Sequence, residues 1–162
     1  MSSLHDEILM IVNEAMERRD MHTIKIRYFT DIKPIEVNPK GDWIDLRSAE
    51  DLDTKAGHFY LIHLGIACKL PTGYEAHILP RSSSFKKWGF IPVHSMGIID
   101  ETYCGDSDEW CLPVIALSDG HIHKNDRVCQ FRIMKKQGDI TFTKVDHMED
   151  ENRGGFGSTG EN

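Results

Sequence analysis

The hydrophobic pattern of the chain changes from a helical repeat to a strand repeat near residue 22. In the first segment, apolar side chains recur at helical spacing, and they are Leu4, Ile8, Ile11, Val12 and Ala15. Ser3 is suited to cap that helix. From residue 24 apolar and polar residues alternate strictly, as in Ile24, Ile26 and Tyr28, which is typical of a half-buried strand. The pattern predicts one amphipathic helix followed by β-structure.

Short β-rich runs separated by turn residues fill the rest of the chain. The predicted strands cover residues 43–46, 58–70, 75–79, 112–117, 127–134 and 140–145. Many short strands with regular turns favour an all-β domain, a jelly roll or distorted β-barrel. We expect the N-terminal helix at residues 1–22, the barrel at residues 23–147 and a flexible C-terminal arm rich in Gly, Ser and acidic residues at residues 148–162.

Composition and charge narrow the classes of function. The chain has 162 residues, 40% of them hydrophobic, which fits one domain with a sizeable core. A net charge of −7 argues against sequence-independent nucleic-acid binding, because neutralising phosphates needs clustered Lys and Arg. The apolar runs fall far short of a membrane span. Four cysteines without a C-x-x-C pair favour free thiols, so we expect a cytoplasmic protein with no membrane or nucleic-acid partner.

The segment at residues 97–106 carries the first candidate chemistry. Ile98 and Ile99 have β-branched side chains that suit a strand, and Asp100 and Tyr103 follow directly. A carboxylate held at a strand end can orient a water molecule for attack. For this segment alone, the favoured explanation is a strand that ends in an ordinary polar turn.

Three further segments carry groups that suit phosphate binding. Residues 80–84 place Arg81 beside serine hydroxyls, residues 126–130 place Gln130 on a predicted strand, and residues 153–160 combine glycines with Ser158 and Thr159. Each also has a plainer interpretation. The first can be a polar turn, the second can form a cross-strand ion pair between Asp126 or Arg127 and a neighbour, and the third can be a flexible tail.

Taken in order, five segments resemble the five motifs of the trimeric dUTPase family. They lie at residues 41–49, 80–83, 97–105, 126–130 and 153–160, and they span nearly the whole chain beyond the N-terminal helix. The resemblance implies hydrolysis of dUTP to dUMP and pyrophosphate by a jelly-roll homotrimer. Each active site of such a trimer would draw motifs from all three subunits.

The resemblance also implies roles for individual residues. Asp100 would orient the water that attacks the α-phosphorus, and Tyr103 would lie against the deoxyribose. Asp45 would hold water ligands of a Mg²⁺ bound mainly by the triphosphate. The substrate-binding residues implied around the nucleoside are His94, Gly97, Ile98 and Ile99.

The remaining implied contacts involve the phosphates and the lid. The residues implied to contact the α- and β-phosphates are Arg81, Ser82, Ser83 through its backbone N–H, and Gln130. The C-terminal residues implied to close over the terminal phosphate and the uracil are Arg153, Phe156, Gly157, Ser158 and Thr159.

The sequence departs from the family pattern at three points. Ser83 stands where the family usually has Gly, and its side chain crowds the phosphate loop. His94 stands where the family usually has Asn near the base. An apparent insertion at residues 106–110 makes Trp110 an alternative to Phe156 as the lid aromatic.

Two other functions remain open from the sequence. A dCTP deaminase, or a bifunctional deaminase and dUTPase, shares the fold and needs a catalytic Glu, for which Glu101 and Glu109 are available. A regulatory module on the same scaffold would instead use the N-terminal helix to dock a protein partner. Packing of that helix on its own barrel is the simpler alternative.

Overall fold

The computed structural model describes Leu4, Ile8, residues 22–148 and residues 150–152. Leu4 and Ile8 are helical and exposed, whereas His22 is not helical. The other residues of the N-terminal helix predicted at 1–22 lie outside the described residues. The strands are β1 (Lys25–Tyr28), β2 (Ile44–Arg47), β3 (Leu52–Thr54), β4 (Phe59–His63), β5 (Ile66–Lys69), β6 (Tyr74–Pro80), β7 (Phe90–Pro92), β8 (Gly97–Ile99), β9 (Cys111–Ala116), β10 (Gly120–Ile122) and β11 (Arg127–Lys135). A short helix, α1 (Ser84–Trp88), follows β6.

The strands pair in antiparallel fashion into four small sheets. The largest has the order β2-β11-β6-β8, and a second has the order β4-β9-β7. Two-stranded ladders join β1 to β5 and β3 to β10. The prediction of an all-β fold is therefore confirmed, and the long β6–β11 ladder forms its centre.

The core is built from the inward sides of these sheets. In β9 every second residue is buried, namely Leu112, Val114 and Ala116. Trp110 is fully buried, and its ring meets the edge of Phe131 at 5.3 Å between ring centroids. The alternative that Trp110 serves as a lid is therefore wrong, because a side chain enclosed in the core cannot reach a ligand.

The outward side of the β4-β9-β7 sheet is unusually apolar. Alternation along the strands leaves Phe59, Leu61 and Ile91 exposed, at 60%, 46% and 42% of their surface. Cross-strand register places Phe59 and Ile91 on either side of Ile115. Three neighbouring strands thus present one continuous apolar surface.

Two strand predictions need correction. The predicted strand at 58–70 is divided into β4 and β5, because Gly65 adopts φ of 67°, a left-handed conformation that ends the extended chain. The predicted strand at 140–145 is not a strand. No other described segment pairs with it, and its Phe142 side chain is 95% exposed. Alternation alone does not make a strand where hydrogen-bonding partners are missing.

None of the helices in the described part of the chain is long and apolar enough to cross a membrane.

Candidate active site

One cavity collects the predicted nucleoside-binding residues. Strand β8 pairs with β6 along one edge and is the last strand of its sheet, so its other edge faces the cavity. The cavity has a volume of about 540 Å³. Its lining includes the predicted residues His94, Gly97, Ile98, Ile99, Asp100 and Tyr103.

A second depression, of about 740 Å³, lies beside β1 and holds none of these residues.

The Asp100 carboxylate is held by its own turn. The backbone N–H and the hydroxyl of Thr102 both donate to Asp100 Oδ1, each at 2.8 Å. Lys136 Nζ lies 3.6 Å from Oδ2. These contacts, the Thr102 N–H first, lower the pKa of Asp100 below its ordinary value. Asp100 is therefore an ionised carboxylate with one oxygen fixed by Thr102 and the other less constrained.

Glu101 ties three segments together behind Asp100. Its Oε1 accepts a hydrogen bond from Lys136 Nζ at 2.9 Å, and its Oε2 accepts one from the backbone N–H of Gly73 at 2.6 Å. Glu101 does not line the cavity that contains Asp100. Both of its oxygens thus serve to hold the end of β8 against β11 and the turn before β6.

Tyr103 is a further lining residue of the cavity. Its backbone N–H donates to the Asp100 carbonyl at 3.1 Å, which closes the turn. Its hydroxyl donates to the Glu109 carbonyl at 3.2 Å, and partial burial raises the pKa of the phenol. The backbone of Tyr103 is thereby held in the turn, and its side chain is held by one hydrogen bond at the hydroxyl.

A second polar cluster surrounds Asp45 on β2. Arg81 Nε, just beyond the end of β6, lies 2.7 Å from Asp45 Oδ1, and an Arg127 guanidinium nitrogen lies 3.0 Å from Oδ2. Gln130 is the cross-strand partner of Asp45, and its amide donates to the Pro80 carbonyl at 3.2 Å. The cross-strand ion pair considered for this segment is therefore present, and it positions Arg81 at the same time.

The loop at residues 81–84 is anchored by a buried serine. Ser84 Oγ accepts the Arg81 N–H at 3.0 Å and donates to the Val128 carbonyl at 2.9 Å. Ser84 is fully buried, whereas Ser82 is exposed. Ser83 has φ of −92°, which any residue adopts, so its replacement of the usual Gly imposes no backbone strain here.

The two polar clusters lie at opposite ends of β6. Ile99 is paired with Ala76, so Asp100 follows at the level of Glu75, whereas Arg81 follows the other end of the strand. Six residues of strand separate those levels, which corresponds to about 20 Å. One chain therefore does not bring Asp100 and Arg81 to the same substrate phosphate.

Sequence reasoning found Asp100 and Arg81 but not the residues that hold them. Thr102 has a recognisable signal, because an Asp followed two residues later by Thr is typical of a side-chain-capped turn. Nothing in the neighbouring sequence indicates that Lys136 contacts Asp100 or that the Ser84 side chain is buried. Both contacts join segments that are distant in the sequence. The predicted residues Arg153, Phe156, Gly157, Ser158 and Thr159 lie outside the described residues.

Comparison with known proteins shows the family to which the chain is related. The family model described as dUTPase matches residues 36–160. An SPbeta prophage-derived deoxyuridine 5'-triphosphate nucleotidohydrolase of Bacillus subtilis (strain 168) is 51% identical over 138 residues, covering 85% of this chain and 97% of the relative. A deoxyuridine 5'-triphosphate nucleotidohydrolase of Finegoldia magna is 37% identical over 123 residues, covering 72% and 83%.

The fold is also shared with solved structures. A Staphylococcus bacteriophage 80alpha dUTPase with dUpNHpp superposes with a TM-score of 0.69 at 19% identity, covering 85% of this chain and 98% of that one. At this identity the structural match concerns the fold alone. Together with the family match and the close relative, it identifies the class: the chain belongs to the dUTPase family.

Proposed function

We propose that this protein hydrolyses dUTP to dUMP and pyrophosphate. Family membership supports the substrate and the reaction. The observation that carries the proposal on this chain is Asp100, an ionised carboxylate fixed by Thr102 at the mouth of a cavity of nucleoside size.

The nucleoside end of the site uses β8 and Tyr103. The unpaired edge of β8 offers backbone N–H and C=O groups of Gly97 and Ile98 to the edge of a pyrimidine. His94 also lines the cavity and offers a ring nitrogen. Tyr103, held through the Glu109 carbonyl, would close against the sugar and leave no room for a 2′-hydroxyl.

Asp100 would take the proton from the attacking water. The water oxygen forms a bond to the α-phosphorus while the bond from that phosphorus to the bridging oxygen breaks, and pyrophosphate leaves with the bonding electrons. Thr102 occupies Oδ1, so Oδ2 is the oxygen available to the water. The low pKa of Asp100 keeps that oxygen unprotonated at neutral pH.

The phosphate end of the site uses the loop after β6. Asp45 binds the Nε of Arg81, which leaves the terminal guanidinium nitrogens for phosphate oxygens. Ser82 offers an exposed hydroxyl, Ser83 a backbone N–H, and Gln130 supports the loop through Pro80. Stabilisation of charge, rather than covalent chemistry, is the contribution of this cluster.

The donor set around Asp45 fits an outer role toward Mg²⁺. Arg127 donates a hydrogen bond to Oδ2, and the Arg81 guanidinium forms an ion pair with Oδ1. The remaining lone pairs can accept hydrogen bonds from water. Mg²⁺ keeps several waters and uses few protein carboxylates. When bound to the triphosphate, the ion would neutralise phosphate charge, and Asp45 would orient its water ligands.

We further propose that the protein is a homotrimer with shared active sites. The separation of about 20 Å between the levels of Asp100 and Arg81 supports this, because one substrate can meet both only if they come from different chains. The exposed apolar face that contains Phe59, Leu61 and Ile91 offers a surface for such assembly. The C-terminal arm and its Phe156 lid, the cytoplasmic location and a protein partner for the N-terminal helix stay predictions.

The geometry gives the deaminase alternatives no support. Glu101 is turned away from the cavity by Lys136 and Gly73. Glu109 lines the cavity, but its two oxygens are engaged by His63 and Gly65. Neither carboxylate is free to move a proton on a bound base.

Pyrophosphate release from dUTP, dCTP, dTTP and UTP tests the proposal. We expect rapid release from dUTP alone, with UTP excluded by Tyr103. Ammonia release from dCTP would support the deaminase alternative, and equal rates with all four nucleotides would contradict the proposed function.

A further inference from the structure

Three side chains of different chemistry meet beside the cavity, on the outward side of β4 and β9. His63 at the end of β4 is the direct cross-strand partner of Cys111 at the start of β9. Glu109 precedes Cys111 by two residues and points to the same side. The pairing of β4 with β9 therefore brings the His63 imidazole and the Cys111 thiol together, and the Glu109 carboxylate lies beside them.

The donor atoms of these residues converge on one point. His63 Nδ1 lies 2.9 Å from Glu109 Oε2 and 3.6 Å from Cys111 Sγ. All three donor atoms lie within 4.8 Å of one another. None of the three side chains is fully exposed.

We propose that His63, Glu109 and Cys111 form a three-ligand binding site for a borderline-soft divalent transition metal of the Zn²⁺ type. Tetrahedral zinc with ordinary bond lengths separates a nitrogen from a sulfur by about 3.6 Å and a nitrogen from a carboxylate oxygen by about 3.3 Å. The first value matches the distance between His63 Nδ1 and Cys111 Sγ. To reach the second value, the distance between His63 Nδ1 and Glu109 Oε2 would have to increase by about 0.4 Å from 2.9 Å.

The surroundings already orient the ligands. The Gly65 N–H donates to Glu109 Oε1 at 3.0 Å, which fixes the carboxylate with Oε2 directed to His63. The Ala49 N–H donates to the His63 carbonyl at 2.8 Å. Such fixed outer contacts are what metal sites use to orient their ligands.

This site differs in chemistry from the magnesium role of Asp45. A thiolate and an imidazole select zinc, copper or cobalt over Mg²⁺, which prefers oxygen ligands. The site also does not depend on the proposed hydrolysis, since it can be measured without nucleotide. Glu109 and Cys111 also line the cavity that contains Asp100, and the Glu109 carbonyl accepts the hydroxyl of Tyr103.

Cobalt binding to the full-length, chelator-treated protein tests the proposal. We expect one Co²⁺ per chain, with a thiolate-to-cobalt charge-transfer band that Zn²⁺ abolishes and Mg²⁺ does not. Cys111→Ser should remove the band, and His63→Ala should weaken Zn²⁺ binding at least tenfold in calorimetry. Cys104→Ser is the matched control and should leave both unchanged, because Cys104 lies outside the cluster.

A second measurement tests the proposed metal site without any variant, and it applies if a variant fails to fold. In the unmodified protein, Zn²⁺ should protect Cys111 from alkylation and leave Cys104 reactive, as read by peptide mass spectrometry. A cobalt band that persists in Cys111→Ser, or alkylation of Cys111 that is unaffected by Zn²⁺, would overturn the proposed site.

Discussion

Ser84 offers a direct test of how the phosphate loop is held. Its hydroxyl joins the Arg81 N–H to the Val128 carbonyl, and Val128 lies at the bulge where the register of β11 against β2 shifts between Arg127 and Cys129. Replacing Ser84 by Ala removes both hydrogen bonds with almost no change in volume. The Val128 carbonyl would then be buried without this partner.

The size of the effect follows from burial. A buried polar group left without its partner costs about 1–3 kcal/mol, and the Arg81 N–H adds less because water can reach that end of the loop. For a chain of this size each kcal/mol lowers Tm by about 2–4 °C, so we expect a decrease of about 2–12 °C. The loosened Arg81 should also lower kcat/KM for dUTP by about tenfold, equivalent to about 1.4 kcal/mol.

Thermal melting and steady-state pyrophosphate release measure the two effects on the same samples. Ser107→Ala is the control, because Ser107 is exposed and outside both polar clusters. If Ser84→Ala melts together with Ser107→Ala and keeps its kcat/KM, then Ser84 does not anchor the loop and the reasoning is refuted.

Three further predictions concern Asp100 and the arm. Asp100→Asn should keep the fold and lower turnover by about 10²- to 10⁴-fold, and turnover within a few-fold of the unmodified protein would exclude its role as base. Lys136→Met removes a charge that lowers the pKa of Asp100, so the acid limb of the pH–rate profile should move to higher pH, whereas the exposed neighbour variant Lys135→Met should leave it in place. Deleting residues 153–162 should lower turnover without changing Tm, and normal activity would show that the segment is only a tail.

The sequence predicted the longer strands correctly, because buried and exposed residues alternate along them. The runs at 75–79 and 127–134 correspond to β6 and β11, which pair along most of their length. The run at 140–145 has the same alternation but no described partner, so local pattern could not distinguish it. The short strands β3, β7 and β10 were missed because three residues carry too little periodicity to recognise.

The residues of the candidate site could be recognised from the sequence, but their positions relative to one another could not. Asp100 and Arg81 were recognised from ordered motifs, yet their placement at opposite ends of β6 follows only from the register of β8. The burial of Trp110 was equally hidden, because the apparent insertion before β9 looks like a surface loop in the sequence. Pairing between distant segments decides both features, and local sequence does not encode it.

Reassembly of two inactive variants tests the central claim most directly. Asp100→Asn and Arg81→Ala chains, each inactive alone, are unfolded, mixed in equal amounts and refolded, and pyrophosphate release from dUTP is measured. If each site takes Asp100 from one chain and Arg81 from a neighbour, about one quarter of all sites are intact after random reassembly, and about one quarter of normal activity should return. Absence of recovery, with mixing proven by mass spectrometry of the trimers, would contradict a site shared between chains.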